Sequence, residues 1–192
     1  VTGKRPPADR PAPGKRAAAG QRVRGLRAPG KGAPGKRAPG KGAPNQGAAD
    51  HRGRSLARRL ALQALYQLQL NPSPWADTQR QFAADPEADR ADLDYFRQLI
   101  AAIAPRREAL DSRLAILCEI APPALDPIEH AVLWLGLHEL ESCPELPYRV
   151  ALAEAVQLAK QFGATDGHKF VNAVLDRAAQ ELRPQEYGHS AK

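Results

Sequence analysis

From Ser55 onward, apolar residues return every three or four positions, the spacing of one face of an α-helix. Leu56, Leu60, Ala64 and Leu68 form a first stripe, with Ala61 and Leu65 beside it. Asn71-Pro72-Ser73-Pro74 stops that helix, and Ser73 followed by Pro74 predicts a short second one carrying Trp75 and Phe82. A third helix is expected from about Asp89 to Ile103, turning Leu93, Phe96, Leu99, Ile100 and Ile103 inward. The fourth starts at Pro105, carries Leu110, Leu114 and Leu117, and is broken by Ala121-Pro122-Pro123. Asp126-Pro127-Ile128-Glu129 reads as a capping box with proline at the first helical position. It opens a fifth helix that runs to about Glu141, with Ile128, Val132, Leu135 and Leu140 facing the core. No alternating β-branched run competes, so the expected fold is an all-α bundle of about seven helices over residues 53–184.

The sixth and seventh helices lie between Pro147 and Pro184 and meet at a polar hinge. Gly163, after Phe162, suits a left-handed helix end, and Thr165 or Asp166 can cap the next helix. Gly167-His168-Lys169-Phe170 then sets a cation and an aromatic ring on a helix's first turn, a combination suited to an unpaired base.

Charge divides the chain. Residues 1–50 hold twelve Lys and Arg against two acids, a net of +10; Arg52, Arg54, Arg58 and Arg59 add +4; the remainder carries a net of −7. Residues 28–44 read APGKG-APGKR-APGKG-AP, and no aromatic residue precedes Tyr66. Such a segment has too little apolar surface to offset the entropy of ordering it, so residues 1–52 are expected to be a disordered basic tail that holds polyanions loosely. Residues 185–192 are expected to be a short flexible end.

Little points to an enzyme. His130 and His138 are too far apart for a metal pair at helical spacing, and His138-Glu139 lacks the second histidine of a zinc motif. Glu129 with Glu141, and Asp89, Asp92 and Asp94, are expected on solvated helix faces. No phosphate-binding glycine loop is flanked by a strand, so neither catalysis, a metal nor a cofactor is expected. Cys118 and Cys143 have no metal-ligand or disulfide spacing. No apolar run approaches the roughly 20 residues of a membrane span. A cytoplasmic location is expected.

RNA binding is the chemistry the residues favour. Arg54 and Arg58, four apart, share a helix face, and with Arg52 and Arg59 they offer guanidinium forks to phosphates. Lys169 and Phe170 offer a second region, although spacing alone favours a core role for Phe170 above Val174. The competing reading is a protein-only helical scaffold whose basic tail is incidental. Salt separates the two: four neutralised phosphates on a single strand give a log–log slope of about −3.

The hinge residues Phe162, Gly163, Ala164, Asp166, His168, Lys169, Phe170, Val171, Asn172, Val174, Leu175, Asp176, Ala178 and Ala179 resemble the FGA-x-D-x-HKFVN-x-VLD-x-AA pattern of the NusB family of transcription antitermination factors. The first helix is similar too, through Ala57, Arg58, Ala61, Gln63, Ala64, Leu65, Tyr66, Gln69 and Leu70, and the fifth through Glu129, Ala131, Val132, Leu133, Glu139 and Leu140. This resemblance runs from about Arg54 to about Pro184 and leaves the tail outside it. It implies an all-helical domain that pairs with the ribosomal protein NusE, binds single-stranded boxA RNA, and joins other Nus factors in the antitermination complex on RNA polymerase, notably at ribosomal RNA operons. It also implies that Arg58 contacts RNA, that Tyr66 and Glu129 lie on the NusE side, and that Asp166, Lys169 and Phe170 lie on the RNA side. Trp134 stands where the family commonly has arginine and His138 where it has tyrosine, so an exposed Trp134 would make the partner surface more apolar. Self-association through that surface occurs in some members, which allows a weak homodimer. NusB-like domains also precede RNA methyltransferase domains, and no such domain is expected here.

Overall fold

A computed structural model describes residues 46–189, and among them all regular structure is helical. The α-helices are α1 (Gln46–Leu70), α2 (Trp75–Ala83), α3 (Leu93–Ile103), α4 (Arg107–Leu117), α5 (Pro127–Ser142), α6 (Tyr148–Phe162), α7 (Gly167–Leu182) and α8 (Pro184–His189). The expected basic tail lies outside the described residues up to position 45, but 46–52 belong to α1. Once Pro44 is passed, nothing in Gln46–Asp50 forbids a helix, and α1 is anchored where the Asp92 amide donates to the Gly53 carbonyl at 2.9 Å.

Helix α5 is the axle. Every residue from Glu129 to Leu140 is buried, because α1, α3, α4, α6 and α7 all pack against it. The inward stripe read from the sequence therefore understates this helix, which is enclosed on all sides. Gly136 permits the approach of α7: a Cβ there would lie 2.5 Å from Leu175 Cδ1. Asp126 caps α5 as expected, its Oδ1 accepting from the Ile128 amide at 2.9 Å and the Glu129 amide at 3.4 Å. At the other end Arg183 donates to the carbonyls of Leu140 at 2.7 Å and Cys143 at 2.8 Å, groups the helix leaves unpaired.

Several ends differ from expectation for local reasons. Ser73 does not cap α2; its hydroxyl pairs with Thr78 Oγ1 at 3.0 Å, and Pro74 stands just before the helix. The start read at Asp89 is a 3₁₀ turn over Pro86–Arg90, and Asp92 caps α3 through the Tyr95 amide at 2.9 Å. Residues 184–189, expected to be mostly loose, form α8. Glu186 accepts the Tyr148 amide at 3.1 Å and pairs with Arg183 at 2.6 Å, while the Tyr187 ring lies 5.5 Å from that of Tyr148.

Candidate nucleic-acid interface

The four arginines at the start of α1 do not act as one patch. Arg58 is 3% exposed. Its Nε donates to Glu139 Oε1 at 2.7 Å, its Nη2 to the Tyr95 hydroxyl at 3.2 Å, and its Nη1 lies 3.6 Å from Glu154 Oε2. The Tyr95 hydroxyl in turn donates to the same Glu139 oxygen. Burial alone would pull the Arg58 pKa down, but Glu139 and the other partners outweigh it, so the guanidinium stays charged. The expectation that Arg58 contacts RNA is therefore corrected: its side chain is spent inside the fold. Arg54 and Arg58 do share a face, but that face turns toward α3, where both guanidinium carbons lie 5.1 Å from the Tyr95 ring centre. Arg54 remains about half exposed, 3.8 Å from Asp92, and Arg52 is exposed. Arg59 points the other way, its guanidinium 5.4 Å from the Phe162 ring centre. Through that contact α1 reaches the hinge.

The hinge is tight. Gly163 is not left-handed, with φ −80° and ψ 178°; glycine is needed because a Cβ would lie 2.7 Å from the Ala159 carbonyl oxygen. The left-handed residue is Asp166, at φ 63°, a region that aspartate visits more readily than most side chains. It occupies the cap position of α7 without a side-chain cap bond. Its carboxylate instead pairs with Lys169 Nζ at 2.8 Å, both side chains about two-thirds exposed. Phe170 is half-buried and packs against the core, as its spacing alone suggested.

The expected partner residues separate. Tyr66 is 36% exposed and, with Leu70, Gln67, Phe82, Ile128 and Phe162, lines a groove of about 550 Å³ between α1, α2 and the facing ends of α5 and α6. Trp134 is not on the surface, and that expectation is corrected: it is 3% exposed, its indole N–H donates to Asp111 Oδ1 at 2.7 Å, and its ring centre lies 4.1 Å from that of His130. His130 Nε2 shares the same carboxylate oxygen at 2.6 Å. Being on α5 explains both placements. Glu129 is also buried, not on a solvated face, and its carboxylate packs beside Gly167 at the start of α7, where a Cβ would lie 1.8 Å from Oε1. Burial, with Asp126 nearby, pushes its carboxyl above the usual range. His138 is buried with Nδ1 lacking a hydrogen-bond partner among the described residues; burial and Arg106 pull its pKa down, keeping it neutral.

Sequence reasoning missed Phe162 and Ile128 as groove residues, and Tyr95, Glu139 and Glu154 as the seat of Arg58. Leu70 left a signal, since a large apolar side chain there falls just before a helix stop and stays half exposed.

The described residues form an all-helical module, and comparisons with known proteins give its family. The sequence model of the NusB family matches residues 55–180. The transcription antitermination protein NusB of Methylobacillus flagellatus is 46% identical over 136 residues, covering 71% of this chain and 88% of that protein. Its Escherichia coli counterpart is 44% identical over 131 residues, covering 68% and 94%. In three dimensions the chain is similar to T. maritima NusB, with a TM-score of 0.62 at 24% identity, covering 70% of this chain and 96% of that one. The chain belongs to the NusB family.

Proposed function

We propose that this protein binds single-stranded boxA-type RNA together with the ribosomal protein NusE and helps assemble the antitermination complex with RNA polymerase and the other Nus factors. Its relatives are named as transcription antitermination proteins, which supports the process. The observation that carries the RNA reading is the meeting of Arg59 with Phe162, which brings one cation of α1 to the hinge that bears Lys169. Arg52, Arg54, Arg59 and Lys169 hold phosphates, and Phe170 flanks the bases with the part of its ring left open. Arg58 stiffens α1 beneath them. The apolar groove around Tyr66 receives NusE on the neighbouring face.

The test is a titration of the full chain with boxA-type RNA and a scrambled RNA, with and without NusE, at several ionic strengths. Preference for boxA and a log–log salt slope of about −3, from about −0.7 per phosphate for four cations, are expected. Tight NusE binding with a flat salt response would favour the protein-only scaffold.

A further inference from the structure

Helix α5 has a cleft at each end. Among the described residues, the exposed large apolar side chains are Tyr66, Leu70, Ile116 and Ile120. The first two line the groove already described. Ile116, 72% exposed, lines a separate cleft of about 760 Å³ between α4 and the C-terminal ends of α5 and α7. Ala109, Ser112, Arg113 and Ile116 of α4 form one wall. Their i, i+3, i+4, i+7 spacing makes a single helix face, about 10 Å long at about 1.5 Å per residue. The other face of α4 is already committed, since Leu110, Leu114 and Leu117 are buried in the core. Leu140 and Leu182 lie across the cleft, and the small side chains of Ala109 and Ser112 let another backbone come close to α4. The rim is cationic. Arg106, just before α4, and Arg113 are each somewhat under half exposed, and both turn to one carboxylate: Glu141 lies 3.4 Å from the first and 3.6 Å from the second. Arg183 lines the cleft as well, so three guanidinium groups there face a single carboxylate.

We propose that this cleft docks an acidic amphipathic helix of a partner protein, with its apolar side chains against Ile116 and Leu182 and its carboxylates on Arg106 and Arg113. Charge selects this occupant. A second copy of the chain would set guanidinium against guanidinium, an arrangement that costs several kcal/mol in general. A nucleic acid would find no aromatic ring to stack on among the residues that line the cleft, an apolar floor under its phosphates, and Glu141 repelling them. A single exposed isoleucine would need no explanation, but Ile116 continues an apolar floor and is bordered by charge of one dominant sign. Position keeps the site separate. Leu140 lies twelve residues beyond Ile128 of the Tyr66 groove, about 18 Å along α5, and Leu182 is at the end of α7 opposite the hinge. The docked helix therefore leaves the Tyr66 groove and the hinge open, and the claim stands or falls without the RNA reading.

Ile116 and Ile128 give the two clefts separate reporters, because each lines only one of them. The test is a methyl NMR titration of the full chain, isotope-labelled at isoleucine. The probe is a synthetic helical peptide of about three turns, with leucines along one face and glutamates flanking them. A second peptide carries lysine in place of each glutamate. The glutamate peptide is expected to move the Ile116 methyl and leave Ile128 in place, and the lysine peptide to move neither. Ile116→Asp, at an exposed position, is expected to weaken the glutamate peptide at least about tenfold in an anisotropy titration. Arg106→Glu/Arg113→Glu is expected to do the same and to accept the lysine peptide instead, a swap that misfolding cannot produce. No movement of Ile116 with the glutamate peptide overturns the proposal, as does equal movement of Ile128 or equal binding of the two peptides. Sedimentation of the chain alone examines the second-copy occupant: a dimer lost in Ile116→Asp overturns the proposal in its favour. So does a single-stranded RNA that moves the Ile116 methyl where the glutamate peptide does not, which would assign the cleft to nucleic acid.

Discussion

Replacing Arg58 with alanine tests how α1 is built. The guanidinium is 3% exposed and engages Glu139, Tyr95 and Glu154. Its truncation leaves Glu139, itself 2% exposed, with the Tyr95 hydroxyl but no cation. Breaking a buried pair by removing one partner costs about 3–5 kcal/mol, because the other charge stays desolvated. For a domain of this size that lowers Tm by roughly 6–20 °C, at about 2–4 °C per kcal/mol. Thermal unfolding followed by far-ultraviolet circular dichroism measures this directly. Well below the transition, RNA affinity is expected to change by less than about tenfold, a difference of roughly 1.4 kcal/mol. The double change Arg58→Met/Glu139→Leu removes both charges and is expected to recover more than half of the lost stability, since an apolar pair of similar volume replaces a buried ion pair well. An Arg58→Ala protein with wild-type Tm and a selective collapse of RNA binding would refute the reasoning and return Arg58 to the RNA surface.

Other outcomes follow from the same geometry. Asp166→Asn tolerates the left-handed backbone and frees Lys169 from an exposed pair of the kind worth about 0.2–1 kcal/mol, so RNA affinity is expected to rise about two- to fivefold in an anisotropy titration; weaker binding would contradict it. Tyr66→Ala opens the groove and is expected to weaken NusE binding in calorimetry while leaving RNA binding by the chain alone unchanged. The folded pKa of His138 lies below its ordinary 6.5, so its stabilising contribution is complete above about pH 6.5 and is lost as pH falls below that. His138→Phe is therefore expected to unfold less readily than wild type in mild acid, with the gap closing toward pH 8; a gap independent of pH would exclude histidine titration. Removing residues 1–45 is expected to lower affinity for any RNA in a gel-shift titration while leaving the preference for boxA nearly unchanged; loss of that preference would mean the tail reads sequence.

Helical periodicity carried most of the fold because each of α1, α3, α4, α6 and α7 buries one stripe and leaves a polar back. It understated α5: a helix enclosed on all sides has no polar face to mark its orientation. That is why Trp134 and Glu129 looked like surface residues. The hinge was legible as a turn, but the left-handed position fell on Asp166 and not on Gly163, because the need at Gly163 is closeness to Ala159, which no local pattern reports. Arg58 was misplaced for a related reason. A four-arginine run reads as a solvated patch until the carboxylates that claim one member are known, and Glu139 and Glu154 are distant in sequence. Lys169 and Tyr66 both face outward.

The enclosure of α5 also limits how this chain can change. Asp111 on α4 serves both the Trp134 indole and the His130 ring, so those three positions form a single interior set joined across two helices. Restoring an arginine at position 134 would bury a cation beside the aspartate and displace His130 from it. Such a swap would therefore spread to its neighbours as a repacking of the interior, while the outward faces of α1, α2 and α7 remain open to independent adjustment.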